Sequence, residues 1–193
     1  MNLGPGLADP SHDSQRLFRA VLDAFAHPGN IVGLPQTPEP AEPLSRAATA
    51  FLLTLVDRDT PLWLAPGLDT PALREFVRFH TGAAVVDRPA DALFAVAQPG
   101  LQPLLEGFAV GSDPYPDRSA TVILEVSSLG GGPVRSWRGP GIDGRTPVAI
   151  AGLREDFWDE WAANRALFPC GVDVVFTAGT DLLALPRSIA VEA

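Results

Sequence analysis

Lysine is absent. All fourteen basic residues among the 193 are arginine, so no side chain offers a primary amine. A Schiff base with pyridoxal phosphate, a lysine phosphate clamp in a Walker A loop and a lysine general base are therefore excluded. Cysteine is nearly absent too: Cys170 stands alone and cannot form an internal disulfide, which fits a reducing compartment. The three histidines, His12, His27 and His80, lack metal-ligand spacing, and one cysteine cannot complete a zinc set, so no protein-only metal site is expected. Long apolar runs are missing. The longest, Ala47 to Val56, carries Thr49 and Thr54 and falls far short of the roughly 20 residues that cross a bilayer. The first arginine is Arg16 and no apolar stretch resembles a secretory signal, so the sequence predicts a cytoplasmic protein without a membrane partner. A net charge of -9 argues against nucleic acid, whose phosphates are bound through an excess of Lys and Arg.

What is present is 46% hydrophobic residues with 20 prolines and 18 glycines. That composition suits many short elements joined by turns rather than a long-helix bundle. Residues 1–12 read as a flexible arm and the whole of 1–193 as one domain. Leu17, Val21, Leu22 and Phe25 recur at helical spacing, predicting a helix over Ser14 to Ala26 capped by Asp13 or Ser14 and stopped by Pro28-Gly29. Ser45 opens a second helix, Arg46 to Val56. Thr70-Pro71 begins a third, running through Phe79 and ended by Gly82. Leu153 to Ala166 is a fourth, with Phe157, Trp158 and Trp161 on its apolar face. Short strands are expected at Ile31–Leu34, Leu62–Leu64, Ala83–Val86, Ala92–Ala97, Thr121–Val126, Val134–Arg138, Asp173–Thr177 and Leu182–Leu185. This alternation predicts an α/β fold, a three-layer α/β/α arrangement around a mostly parallel or mixed sheet.

Gly139-Pro-Gly141-Ile-Asp-Gly144 matches G-x-G-x-x-G as a string. A dinucleotide fingerprint needs a helix to open within the glycines, whereas Pro147 and the β-like Val148–Ile150 follow, so that reading is rejected. The Gly-rich turn could still present amides to an anion. From Ser127 to Arg154 there are four arginines, Arg135, Arg138, Arg145 and Arg154, against one acid, Asp143. This is the most basic window of an acidic chain. Arg135, Arg138, Gly139 and Gly141 are therefore candidates to meet a phosphate, a phosphonate or a partner's acids. His80, in the last turn of its helix, is a candidate for capping or for proton transfer. Asp173 is placed to accept hydrogen bonds from loop amides or from a ribose hydroxyl. Arg187 is placed to pair with a carboxylate or a phosphate. Cys170, in a Pro-Cys-Gly turn, reads as a small buried hydrophobe or a nucleophile. No catalytic residue can be assigned.

Several stretches, taken together, carry a family resemblance: Arg138-Gly-Pro-Gly-Ile142, Leu167-Phe-Pro-Cys-Gly-Val-Asp173, the run from Phe51 to Leu64 with its Asp57-Arg-Asp-Thr-Pro61 centre, Arg78-Phe-His-Thr81 and Leu185-Pro-Arg-Ser188. They resemble the PhnH family, a component of the bacterial carbon-phosphorus lyase system that degrades phosphonates, from about Ser14 to Glu192. The resemblance implies a fold similar to the large domain of pyridoxal-phosphate-dependent transferases, used without that cofactor. It also implies a homodimer that joins PhnG, PhnI and PhnJ subunits in a core complex. The complex supports transfer of an alkylphosphonate to the ribose of ATP with release of adenine, so ATP or a phosphonate nucleotide is an implied ligand. The chain is then a non-autonomous subunit rather than a self-sufficient enzyme. Two alternatives stay open at this point: a stand-alone thiol-dependent hydrolase using Cys170 and His80, and a nucleotide-binding module without chemistry.

Overall fold

Seven short strands form the central sheet of the computed structural model, which describes residues 4–101 and 103–193. In chain order they are β1 (Val32–Gly33), β2 (Leu62–Leu64), β3 (Val85–Val86), β4 (Phe94–Ala97), β7 (Thr121–Glu125), β10 (Asp173–Ala178) and β11 (Asp181–Leu185). The spatial order is β1-β11-β10-β7-β4-β2-β3. Strands β10, β7, β4, β2 and β3 run parallel, and β11 lies antiparallel between β10 and β1. The sheet is mixed, with helices packed against it. Its central strands are apolar along their length because both faces are covered, the pattern of buried parallel sheets.

The two faces follow from the register. Phe94, Thr121 and Asp173 are aligned across β4, β7 and β10, as are Ala97, Leu124 and Phe176 one face over. Phe94 meets Phe51 of helix α2 (Arg46–Leu55), so α2 covers the first face, and α1 (Pro10–Ala26) and α3 (Pro71–Thr81) pack beside it. Phe176 meets Phe157 of helix α4 (Phe157–Ala166) and Trp137, which places α4 and a smaller sheet on the second face. That smaller sheet comprises β8 (Arg135–Arg138), β9 (Thr146–Val148) and β12 (Ala190–Glu192), ordered β12-β8-β9 and antiparallel throughout. A separate hairpin is formed by β5 (Val110–Ser112) and β6 (Tyr115–Ser119). No helix among the described residues is long and apolar enough to cross a membrane.

Two helix starts differ from expectation for local reasons. Helix α1 begins at Pro10, not Ser14. Asp9 is its N-cap, accepting from the His12 amide, while Asp13 reaches back to accept from the Asp9 amide at 2.9 Å. This is a reciprocal capping arrangement in which the second acid resembles a first cap in sequence, and Pro10 takes the first helical position. Residues 10–12 are therefore helical rather than part of the arm. Helix α4 begins at Phe157, not Leu153, because Arg154 is committed elsewhere: its guanidinium donates to the carbonyls of Pro99 and Leu101 and to Asp156. The second helix ends at Leu55 and the third runs from Pro71 to Thr81, with Thr70 capping the latter through the Leu73 amide.

Candidate functional site

The basic window is where the sequence placed an anion, and the structure uses most of it internally. Residues 139–145 connect β8 to β9, so the three glycines lie in a β-hairpin loop rather than before a helix. Gly141 has φ +85°, and a Cβ built there would run into the Ala26 carbonyl and lie 2.8 Å from Pro28 Cδ. A Cβ at Gly139 would lie 2.7 Å from Ile189 Cδ1. These glycines let the loop lie against the end of α1 and against Ile189, a reason of packing rather than of anion binding. Arg138 donates to Glu192 at 2.7 Å and Arg145 donates to the other oxygen of the same carboxylate. The two guanidinium groups, Arg138 first, hold the Glu192 carboxyl below the usual carboxylate range. The pair staples β12 to β8 and to the loop beyond it.

Asp173 and Arg187, treated separately in the sequence, are partners. One Asp173 oxygen accepts from the Arg187 amide at 2.7 Å and from its Nε at 3.1 Å, and the other accepts from Nη2. Both side chains are largely buried. The remaining Nη1 donates to the Pro116 carbonyl at 2.8 Å, tying the start of β10 to the turn after β11 and to the hairpin strand β6. A carboxylate and a guanidinium in bidentate contact satisfy one another, and this clasp is complete without a ligand.

His80 does not cap α3. Gly82 holds the cap position, and His80 packs its ring against Phe76, 4.4 Å between centroids, and edge-on to Phe79. Its Nε2 is buried without a partner among the described residues, and Gly6 lies so close that a Cβ there would sit 2.8 Å from Nδ1. The side chain of Cys170 lies 3.9 Å from an Asp113 oxygen, beside the β5–β6 turn. His80 and Cys170 thus belong to different elements with different neighbours.

Other polar features were not singled out in the sequence. Glu125 ends β7 and accepts from the Ser45 amide at 2.6 Å, at the start of α2. Burial pushes its carboxyl up, against the opposing pull of that hydrogen bond. Glu160 accepts from the amides of Leu104 and Leu105 at 2.7 and 2.8 Å and meets Arg154, so these two charges fasten the loop after β4 to α4. A lone acid at the end of an apolar strand, Ile-Leu-Glu, is the signal that marks Glu125. The role of Glu160 had no such signal, since it depends on a loop about fifty residues away. Arg135 is left. It lies on the same side of β8 as buried Trp137, with its guanidinium carbon 5.9 Å from the ring centre of Trp158.

A family model described as "Bacterial phosphonate metabolism protein (PhnH)" matches residues 5–192. The chain belongs to this family. All seven candidate residues, His80, Arg135, Arg138, Gly139, Gly141, Asp173 and Arg187, fall within the matched span. The chain is similar to an alpha-D-ribose 1-methylphosphonate 5-triphosphate synthase subunit PhnH of Rhizobium meliloti (strain 1021). It is 44% identical over 186 residues, covering 96% of this chain and 93% of that protein. A putative C-P lyase subunit protein HtxG of Stutzerimonas stutzeri is 31% identical over 174 residues, covering 90% of this chain and 83% of the relative.

Proposed function

We propose that the chain is a subunit of the carbon-phosphorus lyase core complex, where it supports transfer of an alkylphosphonate to the ribose of ATP with loss of adenine. The observation that carries this reading is the 44% identity, over nearly the full length of both chains, to a subunit named for ribose methylphosphonate triphosphate synthesis. The site chemistry agrees with a supporting role. Asp173, Arg187 and Arg138, candidates in the sequence to meet a substrate or a partner, are engaged in holding elements of this chain together. The proposal extends to PhnG, PhnI and PhnJ as partners, a homodimer before assembly and a cytoplasmic setting. It also extends to a transferase-like sheet that works without pyridoxal phosphate, for which no lysine exists in the chain.

Co-expression with the neighbouring subunits, followed by affinity capture through one of them and mass measurement of the intact assembly, tests the reading. The chain is expected in the assembly at fixed stoichiometry. Its omission is expected to abolish formation of the phosphonate-ribose product. Failure to co-purify, or turnover of a phosphonate by the chain alone at the rate of the assembly, would refute it.

A further inference from the structure

Helix α4 and the loops beside it enclose a groove of about 390 Å³. Leu105, Phe108 and Val110 line one side of it, Ala163 and Leu167 line the other, and no basic side chain is among its lining residues. At its mouth Leu167 is 49% exposed, and Phe168, next along the chain, is 61% exposed. A single exposed apolar residue is ordinary surface, but a pair beside an apolar groove marks a place that another molecule covers.

The groove is held open from behind. Glu160 accepts from the amides of Leu104 and Leu105 and so fixes the first wall to α4. Buried Asn164 donates to the Val172 carbonyl at 2.9 Å and accepts from the Val172 amide at 2.8 Å, while the Gly171 amide donates to the Val110 carbonyl at 2.8 Å. The Leu167 and Phe168 amides donate to the Asn164 and Arg165 carbonyls. With both ends of this short segment tied, Leu167 and Phe168 cannot fold over the groove to cover it. A preformed site of this kind loses little conformational freedom when it is filled.

The charge around the groove narrows what fills it. Glu106 lies in its lining, Asp159 stands one helical turn before Ala163, and Asp113 lies 3.9 Å from the Cys170 sulfur. All three acids are exposed, and none has an ion pair among the described residues. Two copies of this chain meeting here about a twofold axis would turn these acids toward their own images, with no lysine in the chain to answer them. A different chain fits better, one that brings apolar side chains with arginine or lysine beside them.

We propose that this groove is the docking site for another subunit of the assembly, which inserts an apolar segment flanked by basic residues. The choice of a subunit as occupant rests on the proposed membership in the lyase complex. The apolar, acid-rimmed character of the groove does not.

The test uses the full chain co-expressed with the other subunits and captured through one of them, with this chain quantified by intact mass. Leu167→Asp combined with Phe168→Asp is expected to lower its recovery at least ~10-fold, the equivalent of about 1.4 kcal/mol. Glu106→Arg combined with Asp159→Arg should lower recovery as well, whereas Phe18→Asp, at an exposed position on α1, should be recovered as the wild type is. Thermal melting of the free chain checks that each variant is folded, and the charge reversal stands as an independent test should the apolar pair misfold. Cys170 is the one thiol of this chain, and its alkylation by a small maleimide, read from the mass of this chain, should be slower in the assembly than in the free protein. Wild-type recovery of the Leu167 and Phe168 variant, an equal loss for Phe18→Asp, or equal Cys170 reactivity in both states overturns the site while leaving membership standing. Wild-type recovery of the charge-reversed variant overturns the basic partner. If the free chain sediments as a dimer that the Leu167 and Phe168 variant splits, the occupant is a second copy and the proposal is wrong. Absence of the wild-type chain from the assembly refutes membership itself.

Discussion

Glu125 illustrates how a single residue carries a cost of position. It is buried at the end of β7 and held by the Ser45 amide, and desolvation raises its pKa above the ordinary 4.5. A carboxyl raised in the folded state binds its proton more tightly there than in the unfolded chain. The stability it adds is therefore full below the unfolded pKa and is lost as pH rises through the folded one. Glu125→Gln keeps an oxygen for the Ser45 amide and removes the titration. The melting temperature of the variant relative to wild type is thus expected to increase between pH 4 and pH 7, and a difference that stays flat across that range would show that the burial penalty is absent. Glu192 has the opposite sign. Held down by Arg138 and Arg145, it adds stability above the ordinary carboxyl range and loses it as pH falls through its lowered value. The charge types at these sites were readable in the sequence and their partners were not. Arg187 was expected to find a carboxylate or a phosphate, and it found Asp173, fourteen residues earlier, because the β10–β11 hairpin folds one beside the other.

At the scale of elements, caps and stops were the clearest text. Ser45, Thr70 and Gly82 stand where propensity puts them, and the strands expected from apolar runs fall within a residue or two of those runs. What escaped were the strands β5, β6, β9 and β12. Tyr-Pro-Asp-Arg-Ser and Ala-Val-Glu have no strong alternation, and each exists because a partner strand completes it. The Gly139–Gly144 loop likewise belongs to an element contact. Gly141→Ala puts a methyl group into the Ala26 carbonyl and the Pro28 ring while also forcing a left-handed backbone on alanine. Gly144→Ala imposes the backbone strain alone, since nothing lies within 4 Å of its Cβ position. Chemical denaturation should find a loss of about 1–2 kcal/mol for Gly144→Ala, the usual left-handed penalty, and a clearly larger loss for Gly141→Ala. Equal losses would mean that the loop does not bear on α1.

For the whole molecule, the alternation of strands and helices foretold a sheet covered on both faces, but not that half of one cover would be a second sheet. That layer depends on contacts between residues far apart in the chain. Val191 pairs with Trp137, and the Ile189 carbonyl accepts from Trp161 Nε1 at 3.1 Å. Deleting residues 190–193 removes β12 and the Glu192 staple together. The truncated chain should unfold at a markedly lower temperature, with weakened near-ultraviolet circular dichroism from Trp137 and Trp161. An unchanged melt and spectrum would show that the small sheet stands without its third strand.

The closing pairings also set an order in time. Val32 waits for Leu182, and Trp137 waits for Val191, so neither the outermost edge of the large sheet nor the small sheet of the second cover can close before the strands from residue 181 onward have been made.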